Sequence, residues 1–294
     1  MKRIMSFPIA LVISVILIFT IVSCGSEDET TLTINQSHTE ILSVLVVADT
    51  ISNIMALLSA MPFADATIPC GDTGSVTIEP IGTTKVIMTW NDCKNDAVKP
   101  DIMSGKIIRD VTDADSSGVA ESMMVTVTED FKLEADYDDD GNLDTEIIWT
   151  AGTTLDHQGF QGNDIIDSNS DAKVDVIIDG CADSVIFGNK SRMTYTDFDL
   201  FSNQQDPGLG FFTEFSLNGN VRYKDDCVSN LMKVSTTKNL KMLAGNSVNE
   251  GRISVNSEES LLDITDVDAW SFTVDGLSQD YTQAEFQQLP ATCP

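Results

Sequence analysis

Acidic residues recur on alternate positions three times in the middle of this chain. The densest run is Asp136, Asp138, Asp140, Asn142 and Asp144. A second run holds Asp167, Asn169, Asp171 and Asp175, and a sparser third holds Asp113, Asp115, Ser117 and Glu121. Each run has oxygen-bearing side chains at positions 1, 3, 5 and 9 and a small residue at position 6 (Gly141, Ala172 and Gly118). A tightly curled loop brings alternate side chains to one point. A hard cation such as Ca²⁺ takes six to eight oxygens at about 2.3–2.6 Å, with the carbonyl of position 7 among them. Glycine at position 6 permits the sharp turn. The chemistry these residues predict is coordination of calcium by oxygen.

The runs depart from an EF-hand. Position 12, where that loop carries a bidentate Glu, is Ile147, Ile178 and Met124 here. Each run leads into an apolar stretch that reads as a strand: Glu146-Ile147-Ile148-Trp149, Val176-Ile177-Ile178 and Met123-Met124-Val125. Over about nine residues per copy they resemble the calcium loops of thrombospondin type-3 and FG-GAP repeats, or a shortened dockerin loop. The resemblance implies Ca²⁺ as a cofactor, held in the weak range of extracellular modules, roughly 10⁻⁴–10⁻³ M. Polar hairpin turns use the same residues. The first copy is read as a calcium loop, the third as a turn, and the second is left open between the two.

A second chemistry lies at the N-terminus. Lys2 and Arg3 precede an uncharged, largely aliphatic run from Ile4 to Val22, which is the shape of a secretory signal. It ends in Ile21-Val22-Ser23-Cys24-Gly25, followed by the polar stretch Gly25-Ser26-Glu27-Asp28-Glu29-Thr30. That junction resembles the lipobox of bacterial lipoproteins. The resemblance implies cleavage before Cys24 and acylation of its thiol, with palmitate among the chains. The lipid would tether the N-terminus to a membrane, at roughly 0.8 kcal/mol per buried CH₂. In two-membrane bacteria an Asp after the lipidated Cys tends to retain the protein at the inner membrane. Gly25 therefore points to the outer one, on the periplasmic or the surface side. The competing reading is an uncleaved transmembrane anchor.

Composition narrows the partners. The chain has 46 acidic and 17 basic residues, a net charge of −29. Removal of the signal takes two basic and no acidic residues, leaving −31. No nucleic-acid partner is expected, because such binders carry basic patches. A protein or envelope partner is not identified by the sequence. Apolar residues make up 42% and recur in ordered alternation, so the chain is read as folded. Five cysteines remain after Cys24, and an oxidising compartment favours disulfides. Cys70 and Cys93 flank two strand-like runs and form the first candidate pair; Cys181 with Cys227 is the second, with Cys293 left over. There is no C-x-x-C, and His38 and His157 are far apart, which speaks against zinc.

These residues need a scaffold. Residues 1–23 are read as the signal, 24–36 as a lipidated tether, 37–62 as an amphipathic helix and 70–294 as a β-rich domain with an acidic loop region at 110–180. Ser37-His38-Thr39-Glu40 matches a helix capping box, and Ile41, Val44, Leu45, Ala48, Ile51, Ile54, Met55 and Leu58 follow at helical spacing. From Cys70 onward the period is two: Val76-Ile78, Val86-Met88-Trp90, Met193-Tyr195, Phe215-Leu217, Ile253-Val255 and Trp270-Phe272-Val274. Gly71-Asp72, Asn91-Asp92, Ser104-Gly105, Asn218-Gly219 and Asp275-Gly276 read as the turns between them. The expected fold is mainly β, an antiparallel sheet or sandwich-like body with one helix packed on it. Trp90, Trp149 and Trp270 are expected in the core rather than as stacking platforms.

No catalytic motif stands out: G-x-S-x-G, H-E-x-x-H and a P-loop are missing from the sequence. Asp156-His157 is read as part of a polar loop, not a dyad. The expectation is a lipid-anchored envelope protein with a structural or interaction role, calcium-stabilised and not an enzyme. The alternatives are a carrier of an apolar ligand between sheet and helix, and an envelope hydrolase with an unrecognised site.

Overall fold

The computed structural model describes residues 34–94, 102–114, 120–136, 143–158, 172–186, 188–205, 212–226, 229–243, 247–256 and 259–288. It opens on a long helix, α1 (Ile34–Ala60), and continues almost wholly in strands. The first are β1 (Ala66–Pro69), β2 (Thr73–Ile81), β3 (Lys85–Lys94), β4 (Ile102–Ala114) and β5 (Ala120–Ala135). Then come β6 (Thr145–Trp149), β7 (Thr154–Gln158), β8 (Ala172–Ile186), β9 (Asn189–Gln205) and β10 (Phe212–Lys224). The last are β11 (Ser229–Leu243), β12 (Ser247–Val255), β13 (Ser260–Asp266), β14 (Ala269–Val274) and β15 (Leu277–Tyr281), before a short helix α2 (Gln283–Gln288).

All fifteen strands join one antiparallel sheet in which sequence neighbours are spatial neighbours. The exception is instructive. β6 and β7 lie end to end between β5 and β8: Phe131–Ala135 and Ser122–Thr126 of β5 pair with each in turn. They are one strand position interrupted by the turn at residues 150–153. The expected mainly-β antiparallel body is therefore present, as a single continuous sheet and not two stacked ones.

The period-two pattern becomes burial directly. β6 alternates buried and half-buried along its length, as do the inner residues of β3 and β13. Side chains on alternate residues leave opposite faces, so these strands each give one apolar row to a common interior, whereas the edge strands β1 and β15 bury little. Trp90, Trp149 and Trp270 are all buried there, each about 2% exposed. Trp90 meets Phe131 at a ring-centroid distance of 5.0 Å, Trp149 meets Tyr195 at 5.6 Å, and Trp270 meets Phe286 at 5.1 Å.

The interior is filled by α1. A helix lying on an open sheet buries one stripe. Here residues 37–44 are each under 5% exposed, more than two full turns without a solvent face. The helix touches β5, β8, β9 and β14, strands far apart in the sheet order. The sheet thus curls around the helix. Over residues 37–44, burial on every side replaces the single apolar stripe of an amphipathic helix. Ser37 and Glu40 also lie inside the helix, which starts at Ile34, and do not cap it. The hydroxyls of Ser43 and Thr50 donate to the carbonyls four residues back, Thr39 and Val46, both at 2.8 Å, and so need no partner outside the helix.

Curvature comes from glycines that the sequence presents as turns. Ser104-Gly105 and Asn218-Gly219 lie within β4 and β10, not between strands. Gly105 has φ +120°, and a Cβ there would stand 2.3 Å from the Asp130 carbonyl oxygen on β5. Gly219 has φ +140° and lies against the backbone of Asp197 and Phe198 on β9. The register shifts at both places. Such bulged glycines let neighbouring backbones approach and bend a sheet sharply.

Candidate functional site

Five members of the acidic runs are among the described residues. Asp136 and Asp144 bracket the β5–β6 connection, and the Asp144 amide donates to the Ala135 carbonyl at 2.9 Å, closing its base. Asp113 and Glu121 lie in β4 and β5 at either side of the third run, and Asp175 lies in β8 opposite Phe201. Asp138, Asp140, Asn142, Asp167, Asn169, Asp171, Asp115 and Ser117 fall outside the described residues. Strand direction decides one question. Consecutive strands are antiparallel, so the β4–β5 and β7–β8 connections leave one end of the sheet and β5–β6 leaves the other. The described ends of the densest run, Asp136 and Asp144, therefore lie at the opposite end of the sheet from the β4–β5 and β7–β8 connections. Among the described residues, no group of three or more His, Cys, Asp or Glu is placed to hold a metal ion.

Asp175 has a neighbour the sequence did not single out. Asp199, one strand over on β9, hydrogen-bonds with it. Burial first, then the Asp175 carboxylate, pushes the Asp199 carboxyl above its usual range. The pairing was invisible in sequence because β8–β9 register alone brings the two together.

Cys70 and Cys93 form a disulfide with Cα atoms 5.4 Å apart. It fastens the start of β2 to the end of β3. Cys181 is also disulfide-bonded. Its partner is one of Cys24, Cys227 and Cys293, which all lie outside the described residues. Asp156 and His157 are successive residues of β7, not of a loop. Their side chains leave opposite faces, and His157 is buried at 1% exposure. Burial holds its imidazole below the usual value.

The chemistry-bearing residues that the fold gathers are at the ends of α1. At its C-terminal end, Arg109 of β4 is fully buried. Its guanidinium donates to the Leu58 carbonyl, to Met61 at 2.8 Å and to Pro62 at 3.2 Å. It also lies 4.6 Å from the Phe63 ring centroid. Orphan carbonyls and the negative end of the helix dipole receive a cation there. Desolvation lowers Arg109 to about 10, which still leaves it charged at neutral pH.

At the N-terminal end, His38 faces α2 and Glu40 faces β11. His38 Nε2 donates to the Phe286 carbonyl, and the two rings meet edge-on at 4.1 Å. Desolvation lowers His38 to about 4, so it is neutral. Glu40 is 1% exposed and lies beside Asn230, with Asp225 nearby. Desolvation, the larger effect, and the Asp225 charge raise it to about 8. Around it the interior rows of β8–β11 turn polar. Ser184 and Ser191 hydrogen-bond at 2.8 Å, Tyr223 is directly opposite Asn230, and the Tyr223 hydroxyl donates to Asp225 at 3.1 Å. Sequence reasoning passed over Glu40 and Arg109. The first resembled part of a capping box, and nothing in the spacing around the second marked it.

Between helix and sheet there is a void of about 10 Å³, lined by Ile51, Leu58, Val125, Phe131 and Trp149 among others. That is about the space of one water, and its walls are apolar. No helix among the described residues is long and apolar enough to cross a membrane. No family model, no curated protein and no solved structure matches this chain.

Proposed function

We propose that this chain is an exported, lipid-anchored cell-envelope protein with a structural or interaction role, stabilised by calcium. The observation that carries the reading is the occupation of the interior. Among the described residues, the void lined by Ile51, Leu58 and Trp149 between helix and sheet is about 10 Å³, far below the roughly 300–1,000 Å³ of a ligand pocket. That favours a rigid body over a carrier. The tether reading fits the same geometry. Cys24 precedes the start of α1 at Ile34 by ten residues, and α1 is held at both ends by the fold around it. A membrane anchor on that segment would be joined to the core of the domain, not to a surface loop.

The test has three arms. Metabolic labelling with an alkyne palmitate should tag the wild type and not Cys24→Ala. The melting temperature should rise at millimolar Ca²⁺, with a smaller rise in the Asp138→Ala/Asp140→Ala variant. Solvent extraction of the purified chain should yield no stoichiometric apolar molecule. An unlabelled wild type overturns the anchor. Indifference to Ca²⁺ overturns the metal, and a stoichiometric lipid replaces the structural role with the carrier.

A further inference from the structure

Charge is spread unevenly over this acidic chain. Beyond residue 23 it has 15 basic residues, and eight of them fall in residues 189–255, the span of β9–β12, beside seven acidic ones. The remainder carries seven basic and 39 acidic residues. One flank of the sheet is therefore close to neutral on a body that is otherwise strongly negative.

Strand register divides that flank in two. Below the bend at Gly219 the cations are matched: Lys238 and Lys241 lie 3.1 and 3.7 Å from Glu250, and Arg252 is opposite Asp263. Beside the β8–β9 and β10–β11 turns the facing residues are not acids. Lys190 is opposite Val185, Arg222 is opposite Thr194 and Leu231, and Lys233 is opposite Asn220. Lys224 is directly opposite Arg192, and like charges so placed are destabilising; two bonds from Arg192 to Asp183, at 2.7 and 2.8 Å, offset part of that. These cations alternate along their strands with buried Met193, Val221, Tyr223 and Met232, so they share the outer face. Leu231, 40% exposed, stands among them. Asp197 lies at the bend, Asp225 and Asp226 lie past the end of β10, and the β5–β6 connection is two strand positions from β9. Acids border the patch without entering it.

The patch lies where α1 begins. Glu40, in the second turn of the helix, is beside Asn230 and Asp225, so Ile34 starts near the β10–β11 turn. The ten residues from Cys24 to Ile34 span at most roughly 35 Å. A strongly negative body is repelled by an anionic bilayer, and only its least negative flank can approach one closely. Here that flank is also the one nearest the root of the tether.

We propose that the outer face of β9–β11 beside the β10–β11 turn is the membrane-docking face of the domain, where Lys190, Arg192, Arg222, Lys224 and Lys233 meet the phosphates of anionic phospholipids and Leu231 enters the headgroup layer. The proposal rests on the anchor at Cys24. Attraction of this kind fades within a Debye length, about 8–10 Å at physiological salt, so the anchor supplies proximity and the cations supply orientation.

The test reconstitutes the full chain on phosphatidylcholine vesicles and on vesicles of equimolar phosphatidylcholine and phosphatidylglycerol. Lysine acetylation by an impermeant succinimidyl ester is followed by mass spectrometry. On the mixture, Lys190, Lys224 and Lys233 should react about fivefold more slowly than on phosphatidylcholine, while Lys85, Lys106 and Lys132 keep their rates. High salt should abolish the slowing, and Lys190→Glu/Lys233→Glu should abolish it at Lys224. Both substituted positions are exposed, so that variant should melt as the wild type does. Equal rates on the two kinds of vesicle, or the same slowing at all six lysines, overturns the docking face. So does protection of Lys224 that survives the double substitution. Protection that grows with protein concentration in detergent, without vesicles, assigns the face to a second copy and overturns the membrane reading. Flotation with phosphatidylcholine alone reports the anchor separately: a wild type that does not float refutes the tether, while acetylation on the mixture still decides the face.

Discussion

Arg109 donates a hydrogen bond from Nη1 to the Met61 carbonyl at 2.8 Å, across 48 residues of sequence. The contact joins the sheet to the last turn of the helix it encloses. Its neighbour is the buried Leu58 carbonyl, which the same nitrogen also reaches. Removing the guanidinium removes its own desolvation cost but leaves that carbonyl dry and unpaired, and the second effect is the larger. Arg109→Met should destabilise the fold by about 1–3 kcal/mol. Arg109→Lys should lie between, because an ammonium lacks the planar fork that spans several carbonyls. Chemical denaturation of the three proteins checks the order, and equal stability of Met and Arg variants would sink it.

Glu40 and His38 set opposite pH slopes. Glu40 stands at about 8 in the fold against an ordinary 4.5. Its contribution is fully present below 4.5 and is lost as pH rises towards 8. His38 stands at about 4 against 6.5. The unfolded chain gains that proton first, so stability falls as pH drops from 6.5 to 4. Between 4.5 and 6.5 the two oppose each other. From 6.5 to 8 the Glu40 slope stands alone, at up to about 1.4 kcal/mol per pH unit. With calcium chelated, wild type should weaken across that window and Glu40→Gln should lose this slope. A level wild-type profile from 6.5 to 8 would contradict the burial of an acid there.

The glycines at the bends should differ from those at the turns. Gly105→Ala places a Cβ 2.3 Å from the Asp130 carbonyl oxygen at φ +120°. It should cost about 2 kcal/mol or more. Gly82 also has a positive φ, +79°, but nothing lies within 4 Å of its would-be Cβ. Gly82→Ala should therefore cost only the local strain, about 1 kcal/mol. Thermal melts of the pair test whether sheet curvature depends on close strand approach at Gly105.

The Cys70–Cys93 bridge spans 23 residues. Loop-closure entropy for that length is worth about 3 kcal/mol. The Cys70→Ser/Cys93→Ser variant should be less stable by about that free energy and keep its far-ultraviolet dichroism, because β2 and β3 pair through their backbones along most of their length. A collapse of the strand signal would mean that the bridge specifies the pairing and does not merely stabilise it.

Several features are legible in the order of residues alone. Alternation at Val86-Met88-Trp90 and Trp270-Phe272-Val274 needs only the two-residue period of a strand, and those residues are buried as expected. Cys70 and Cys93 could be paired because two short strands between them return the chain on itself. The densest acidic run could be placed between two strands for the same local reason, and its described ends at Asp136 and Asp144 agree with that, whereas Asp113, Glu121 and Asp175 lie within strands. Asp199 could not be found, since only the β8–β9 register sets it beside Asp175. Asn91-Asp92, Ser104-Gly105 and Asn218-Gly219 read as turns because a bulge and a turn ask for the same backbone freedom.

The sequence by itself determined the mainly β antiparallel fold, the helix and the Cys70–Cys93 bridge, because each depends on residues close along the chain. Only the tertiary structure decided that α1 lies inside the sheet and not upon it. Enclosure depends on the summed bend of fifteen strands, set where glycines such as Gly105 and Gly219 let distant backbones touch. No window of sequence contains that sum. The consequence falls on Glu40, His38 and Arg109, whose polar side chains look solvent-facing until the sheet closes over them. Their chemistry is therefore a property of the fold: removal from water changes the charge on Glu40 and His38, while Arg109 keeps its charge and bonds the helix end.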